Sequence, residues 1–402
     1  MVYYKKTEGG KLVLDAAHNI AELKNGNRHQ ILDCLRYAPM SRAELSRRIG
    51  LAKSSVTTLT NEMIRQGLLE EAGLAEKNNK AGRTQILLNI HGSYAFAVGI
   101  HLHRKLVSVT AVDLMGKTLF EFSESTATFS DTEQVLSYIR EHLLRGVEEA
   151  GLSLDRLVGI GVSSPGPLDH KNGVILEPPK FPFFRNYPIV KRLTEAYGCP
   201  VFLENNAVAL ALYEHYYVKV QAGCSLFVTI SEGVGSALLQ NGEVYRGSHG
   251  IAAELGHISV NPEGEPCPCG NCGCLELYAP LSAMKRRFGF ASYPAVIDAA
   301  IRGEGEEQQI LAFLVQKIGA ALATAVNLFD LDRIILYGEY AYRAEHLMTM
   351  LDQYLVVHSA IYRAHPVSLV VSGQKESDAS AAAAVSALNY FYKNNTVFLW
   401  GE

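Results

Sequence analysis

Several things are scarce in this sequence. No unbroken apolar run reaches the roughly 18–20 residues that a bilayer crossing requires, so no membrane attachment is expected. The opening stretch from Met1 to Gly10 is polar and charged, so no signal peptide is expected. Cysteine occurs seven times in 402 residues, and four of the seven fall within eight positions, at Cys267, Cys269, Cys272 and Cys274. That leaves too little elsewhere for a disulfide framework, and in a reducing compartment such a cluster reads as a metal site. A cytoplasmic protein is the expectation. What is plentiful is apolar residue, at 48%, and a chain of this length suits two or three domains with sizeable cores.

Net charge is only −4, but it is unevenly spread. Residues 1–90 hold 14 Lys+Arg against 9 Asp+Glu; the remainder holds 23 against 32. A basic head on an acidic body suggests that only the head meets a polyanion. The head also has a pattern. Residues 28–37 read as a helix with Ile31 and Leu35 on one face, ended by Pro39. Ser41-Arg42-Ala43-Glu44 is a capping box that starts a second helix, with Leu45 and Ile49 inward and Gly50 as its stop. A third helix carries Val56, Leu59 and Met63 at helical spacing. Its other face offers Lys53, Ser54, Ser55, Thr57 and Thr58. Such a short, polar face, nearly free of acids, can approach phosphates and base edges.

After the third helix, Gly67–Glu70 and Ile86–Asn89 read as wing strands. The polar loop between them, Glu76 to Arg83, would let Arg83 enter a minor groove. The pattern is a winged helix-turn-helix for double-stranded DNA. One feature departs from it: Ala52 stands where a Ser or Thr cap would serve the third helix, a loss of about 1 kcal/mol.

From residue 94 the texture changes to alternating strands and helices. Tyr94–Ile100 and Leu106–Asp113 read as paired strands, and Val158–Ser163 as a strand entering Ser164-Pro165-Gly166-Pro167. This is the α/β pattern of two stacked lobes. Four motifs stand out: Gly159-Ile160-Gly161-Val162-Ser163-Ser164-Pro165-Gly166; Glu204-Asn205-Asn206-Ala207; Glu254-Leu255-Gly256-His257; and Cys267-Pro268-Cys269-Gly270-Asn271-Cys272-Gly273-Cys274-Leu275-Glu276. Through them nearly the whole chain resembles the ROK family of bacterial sugar kinases and sugar-responsive repressors. The head is similar to that of its repressor branch, which includes xylose and N-acetylglucosamine repressors.

The cysteine motif also reads without the family. Cys267 and Cys269 bracket a tight loop, Cys274 returns five residues later, and His257 supplies a nitrogen. Three thiolates and an imidazole make a closed, structural zinc site, with Cys272 an alternative ligand on spacing alone. The resemblance assigns zinc to His257, Cys267, Cys269 and Cys274, one ion per chain. It also places Asn205, Asn206, Glu254, His257 and Glu276 around a sugar, where amides and carboxylates read hydroxyls.

The same resemblance argues against catalysis. Kinases of the family open this domain with an Asp-x-Gly-Gly-Thr phosphate loop; here the matching stretch is Gly99-Ile100-His101-Leu102-His103-Arg104. Their catalytic Asp falls on Asn206, which takes no proton at neutral pH. Their adenine-contacting Gly-Gly is Gly338-Glu339. Phosphoryl transfer needs both a base and a phosphate cradle. Two further departures touch the ligand: Lys180, in Glu177–Pro182, could meet a phosphate or carboxylate, and Ala253 replaces a common Gly.

The architecture expected is a winged helix-turn-helix at residues 1–90. Two lobes of the actin-like, sugar-kinase (ribonuclease H-like) type follow, at 91–200 and 201–402. The C-terminal helix, near Ala379–Tyr392, returns to the first lobe. The function expected is a repressor of carbohydrate-metabolism genes such as those for xylose, acting as a homodimer or tetramer. A sugar or sugar phosphate would control operator DNA binding by population shift. The rival readings are an active sugar kinase with a DNA-binding head, and a zinc-stabilised scaffold answering to a protein partner.

Overall fold

A computed structural model of the chain describes residues 4–6, 12–14, 16–74, 85–179, 181, 183–218, 223–303, 305–375 and 377–393. Its contacts divide the chain into two units. The first is 1–163, 173–203 and 383–402; the second is 164–172 and 204–382.

The first unit opens with an antiparallel pair, β1 (Tyr4–Lys6) and β2 (Leu12–Leu14). Helix α1 spans Ala16–Tyr37, so it starts well before the residue 28 read from sequence. Asn25-Gly26-Asn27 looks like a breaker because all three are poor helix formers. Tertiary contacts override that preference: Ile31, Leu32 and Leu35 are fully buried, and Lys24 and Arg28 both grip Glu62. The helix stops at Tyr37, as the proline at 39 requires.

Strand β3 (Met40–Ser41) leads into α2 (Arg42–Ile49), whose capping box between Ser41 and Glu44 is complete in both directions. Gly50 closes α2 at φ 71°. Helix α3 (Lys53–Arg65) buries Val56, Leu59 and Met63, and Ala52 gives it no side-chain cap. Strands β4 (Leu69–Leu74) and β5 (Ile86–Ile90) complete a sheet of order β3-β5-β4. This is a winged helix-turn-helix. The wing segment Glu76–Arg83, with Arg83, lies outside the described residues.

The unit continues with β6 (Phe96–Leu102), β7 (Leu106–Asp113), β8 (Thr118–Ser125), α4 (Thr132–Glu149), β9 (Leu157–Ser164), α5 (Ile189–Tyr197) and β12 (Val201–Asn205). The short strands β10 (Leu168–Asp169) and β11 (Val174–Ile175) fall in the chain between β9 and α5. The sheet order is β12-β9-β6-β7-β8. Every residue of β6 and β9 is buried, the mark of central strands covered on both faces. One cover is the C-terminal helix α12 (Asp378–Lys393). It lies so close that a Cβ on Gly161 would stand 1.8 Å from the Ala383 carbonyl oxygen, so β9 has room only for glycine there.

The second unit holds α6 (Asn206–Tyr213), continued by a wider π turn over Glu214–Val218, then β13 (Cys224–Ile230), β14 (Val234–Gln240) and β15 (Glu243–Val244). Helices α7 (Leu281–Phe288), α8 (Tyr293–Ile301) and α9 (Glu307–Phe329) precede β16 (Arg333–Gly338). Helices α10 (Ala344–His358) and α11 (Ala360–Ala364) precede β17 (Ser368–Val371). The sheet order is β15-β14-β13-β16-β17. Counted in chain order, both five-stranded sheets read third, second, first, fourth, fifth. The same wiring used twice is the signature expected of an actin-like pair of lobes.

Helix α9 bears on the expectation of no membrane attachment. Its best window has a mean hydropathy of 1.6, enough by length and composition to cross a membrane. More than half of that window, 56%, is buried inside the protein. Leu314, Ile318 and Leu322 join Ile334, Leu347 and Leu351 in the core of the second unit. A helix apolar on most sides is what a core position between α8 and α10 demands.

Candidate functional site

The outer face of α3 presents Lys53, Ser54, Ser55, Thr57 and Thr58, all exposed. The Thr57 hydroxyl is spent inside the helix, donating to the Lys53 carbonyl at 2.8 Å. The one acid of α3, Glu62, is turned away from that face. It meets Lys24 Nζ at 2.9 Å and Arg28 Nη2 at 2.6 Å, which holds its carboxyl below the usual range, the Lys24 bond foremost. The result is an acid-free surface. Arg42 braces it from behind, donating to Thr60 Oγ1 (3.2 Å) and Asn61 Oδ1 (3.0 Å) and pairing with Glu71 of β4 at 3.5 Å. Sequence reading missed Arg42 and Glu62, since their partners lie far away along the chain.

A second group of polar residues gathers in the second unit, around the start of β14. Asn205 caps α6, its Oδ1 accepting from Ala207 N at 2.9 Å, and Asn206 is the first residue of that helix. Val234 N donates to Glu276 Oε2 at 3.4 Å. The Val234 carbonyl lies against Gly256, too close for any side chain at 256. Glu254 and His257 flank that glycine in one short turn, Leu255–His257. Glu276 sits in another, Leu275–Leu277, hydrogen-bonded to the first through Leu275 N and the Ile258 carbonyl (3.0 Å). Four of the five sugar-reading candidates are thus half-buried. Glu254 keeps an open face, yet its surroundings are dry enough that burial, reinforced by Glu276 and opposed by His257, raises its pKa.

Two features of this region were not read from sequence. Glu204, nearly buried, takes a two-pronged bond from Arg246, at 2.8 Å and 2.5 Å. That pair pins the loop before Glu254 to the strand that ends at Asn205. Ala253 itself sits at φ 63°, a left-handed backbone that costs an alanine roughly 1–2 kcal/mol. The Ser236 hydroxyl bonds its carbonyl and accepts from Leu255 N, holding that conformation. Lys180 lies outside the described residues.

Beside the polar group lies the cysteine cluster. One ligand atom each from His257, Cys267, Cys269 and Cys274 falls within 4.8 Å of the others, an arrangement that could hold a metal ion. Cys269 Sγ and Cys274 Sγ are 3.6 Å apart, and Cys267 Sγ and His257 Nδ1 are 3.9 Å apart. Tetrahedral bonds of about 2.3 Å to sulfur put neighbouring sulfurs about 3.8 Å apart, so the spacing fits zinc. Cys272 stands apart: it is exposed, and its carbonyl accepts from Ser259 Oγ at 2.7 Å. The thiols differ in readiness to ionise. A backbone bond from Asn271 lowers Cys269, whereas burial raises Cys274, so a bound cation would have to displace a proton there.

The stretch from Gly99 to Leu102 is uninterrupted β6, and His103 N bonds the Leu106 carbonyl (2.9 Å) to close a tight turn into β7. His101 is buried, hydrogen-bonded through Nδ1 to Ser163 Oγ at 2.7 Å and stacked on His103 at 5.7 Å. Burial pushes its pKa down to about 3, so the imidazole is neutral. At the end of β16, Glu339 Oε2 accepts from Leu281 N at 3.1 Å and serves the start of α7.

Two family models match the chain. A model described as the ROK family matches residues 97–389, and one described as the IclR helix-turn-helix domain matches residues 29–73. The DNA-binding transcriptional dual regulator NagC of Escherichia coli K12 is 29% identical over 350 residues, covering 83% of this chain and 84% of its own. The xylose repressor of Bacillus subtilis 168 is 26% identical over 356 residues, covering 87% and 90%. Among solved structures, a ROK family transcriptional regulator described as a homolog of E. coli MLC superposes with a TM-score of 0.76 at 25% identity, over 94% of this chain and 98% of that one. A ROK hexokinase from Thermus thermophilus gives 0.64 at 29% identity, over 74% and 100%.

Proposed function

The chain belongs to the ROK family, and from that premise we propose that it is a DNA-binding transcriptional repressor of carbohydrate-metabolism genes, controlled by a sugar or sugar derivative. The observation that carries this is the acid-free outer face of α3, in a winged helix-turn-helix joined to a ROK domain. Lys53, Ser54, Ser55, Thr57, Thr58 and Arg83 contact the operator. Asn205, Asn206, Glu254, His257 and Glu276 read the effector's hydroxyls. The names of the relatives favour xylose or an N-acetylhexosamine as the effector class. The DNA-reading domain is assigned to residues 1–90, the first lobe to 91–200 and the second to 201–402. The protein works in the cytoplasm as a homodimer.

Zinc held by His257, Cys267, Cys269 and Cys274 supplies no chemistry beyond tying the loops together. These four residues position Glu276, two residues past Cys274, and the His257 imidazole against the sugar. The domain does not phosphorylate. Asn206 hydrogen-bonds but takes no proton, and the neutral His101 occupies the stretch where kinases keep a glycine-rich loop. Effector and operator favour different arrangements of the protein, so each weakens the other by the same factor.

The test is operator affinity at fixed salt, with and without sugars from a neutral and phosphorylated panel. Lys53→Ala should reduce affinity and lower the salt slope by about one. Glu254→Ala should bind DNA normally yet ignore the effector. Failure of the wild type to bind any selected duplex sinks the reading. The superposition on a hexokinase keeps active phosphorylation as a second reading. Sugar-dependent ADP release that is lost in Asn206→Ala would establish it.

A further inference from the structure

The second unit gathers two cations on one pair of aromatic rings. Tyr278 follows the turn that holds Glu276, and Phe313 stands on α9; the ring centroids are 6.1 Å apart. Arg287, in the last turn of α7, has its Cζ 5.1 Å from the Tyr278 ring and 5.4 Å from that of Phe313. Lys317, one helical turn along α9 from Phe313, places Nζ 5.4 Å and 5.3 Å from the same two centroids. The rings beneath these cations are held in place. Phe288 packs edge-on against Phe313 at 5.3 Å, and the buried Tyr278 accepts from Asn261 Nδ2 at 3.4 Å.

The two cations are not equivalent. Arg287 is paired with Glu265, in the loop before Cys267. Lys317 is half-buried and meets no carboxylate among the described residues. Ring faces attract a cation, but here two cations draw on the same two rings. Burial, and after it the Arg287 charge, hold the Lys317 ammonium below the usual lysine range. A lysine that is partly dry and beside a second cation carries more of its free amine, the form that acts as a nucleophile. The Arg287 side chain is 33% exposed, and a guanidinium has donors to spare after one carboxylate contact. Such donors fit a phosphate.

We propose that Lys317 is a site of Nε-acylation by a small acyl phosphate, whose phosphate Arg287 holds. The neutral amine nitrogen bonds the acyl carbon, and the carbon–oxygen bond to phosphate breaks. Inorganic phosphate leaves with that electron pair and takes one of the two amine protons. The product is an amide that stays over the rings and carries no charge. Arg287 then loses its like-charged neighbour, and its pair with Glu265 stands unopposed. That pair ties α7 to the loop leading into the cysteine cluster.

The test uses full-length protein purified without chelator, treated at pH 7 with acetyl phosphate and followed by peptide mass spectrometry. Lys191 of α5 is the internal comparison, being 72% exposed and 3.9 Å from Glu195. If exposure governed labelling, Lys191 would lead. Lys317 should instead gain its acetyl group about tenfold faster or more. Excess inorganic phosphate should slow Lys317 about threefold or more and leave Lys191 unaltered, because it competes at Arg287.

Arg287→Gln should bring the Lys317 rate to within about twofold of Lys191, and Arg287→Lys should restore part of the lead. Labelling of Lys317 no faster than that of Lys191 overturns the proposal. So does an Arg287→Gln variant that keeps the wild-type lead. Phosphate competition is read on the wild type, so should Arg287→Gln not fold, a Lys317 rate indifferent to phosphate overturns it equally. Neither operator nor sugar enters the measurement, and its result stands apart from the DNA-binding reading.

Discussion

Consider Glu62→Gln, which keeps the shape of the side chain and removes its charge. Two cations depend on that carboxylate. Lys24 is 43% exposed, and such a pair contributes about 0–1 kcal/mol. Arg28 is 9% exposed and bonds at 2.6 Å; a hydrogen bond to a charged group is worth about 1.5–3 kcal/mol. Glu62 itself is 22% exposed, so screening trims the upper end and a total of about 1–2 kcal/mol is expected. That is roughly a 5–30-fold rise in the opening equilibrium of α1 against α3. Hydrogen exchange of both helices in the full-length protein at pH 7 reads it directly.

The sign with pH follows from the lowered pKa of Glu62. Its contribution is complete above the unfolded carboxylate value of about 4.3 and fades as pH falls through the lower folded value. The gap between wild type and variant, followed by urea unfolding, should therefore narrow below about pH 4. An exchange change under twofold at pH 7, or a gap undiminished in acid, would refute the reasoning.

The cysteine cluster makes a sharper expectation. Cys269→Ser should lose bound metal and destabilise the 257–276 loops, while Cys272→Ser should retain one ion per chain because its sulfur lies outside the four-atom group. Elemental analysis of protein purified without chelator separates the two, and metal loss in both variants alike would mean the ligand set is misassigned. The buried His101 supplies a pH signature. Its folded pKa of about 3 lies below the unfolded value of about 6.5, so stability should fall as pH drops below about 6.5, by at most about 1.4 kcal/mol per pH unit. His101→Asn should flatten that slope in urea titrations between pH 7.5 and 5; parallel slopes would show that His101 is not the group responsible.

Much of this was legible because it is local. The Ser41–Glu44 capping box, the inward Val56, Leu59 and Met63, and the clustering of His257 with three cysteines all depend on short spacings that a sequence displays directly. What escaped was carried by distant partners. The length of α1 was hidden by Asn25-Gly26-Asn27, because the ion pairs that sustain it come from Glu62. Arg246 gave no sign of its role, since Glu204 lies on another element. Spacing alone left Cys272 open as a ligand; the family resemblance set it aside, and the fold of the loop keeps it out of the four-atom group. The hydropathy of α9 suits lipid and core equally, and its packing between α8 and α10 is what distinguishes the two.

The bond between His29 and Tyr392 joins residues 363 positions apart. Ribosomes add about 5–20 residues per second, so the helix that carries Tyr392 emerges roughly 20–70 seconds after α1 has been made. Throughout that interval His29 has no Tyr392 carbonyl to bond. Arg36 and His29 stay in water until the last helix arrives. The His29–Tyr392 bond thus forms only after both segments have been made. A chain released early, or clipped before Asn389, would keep its recognition surface and lack the partner of His29.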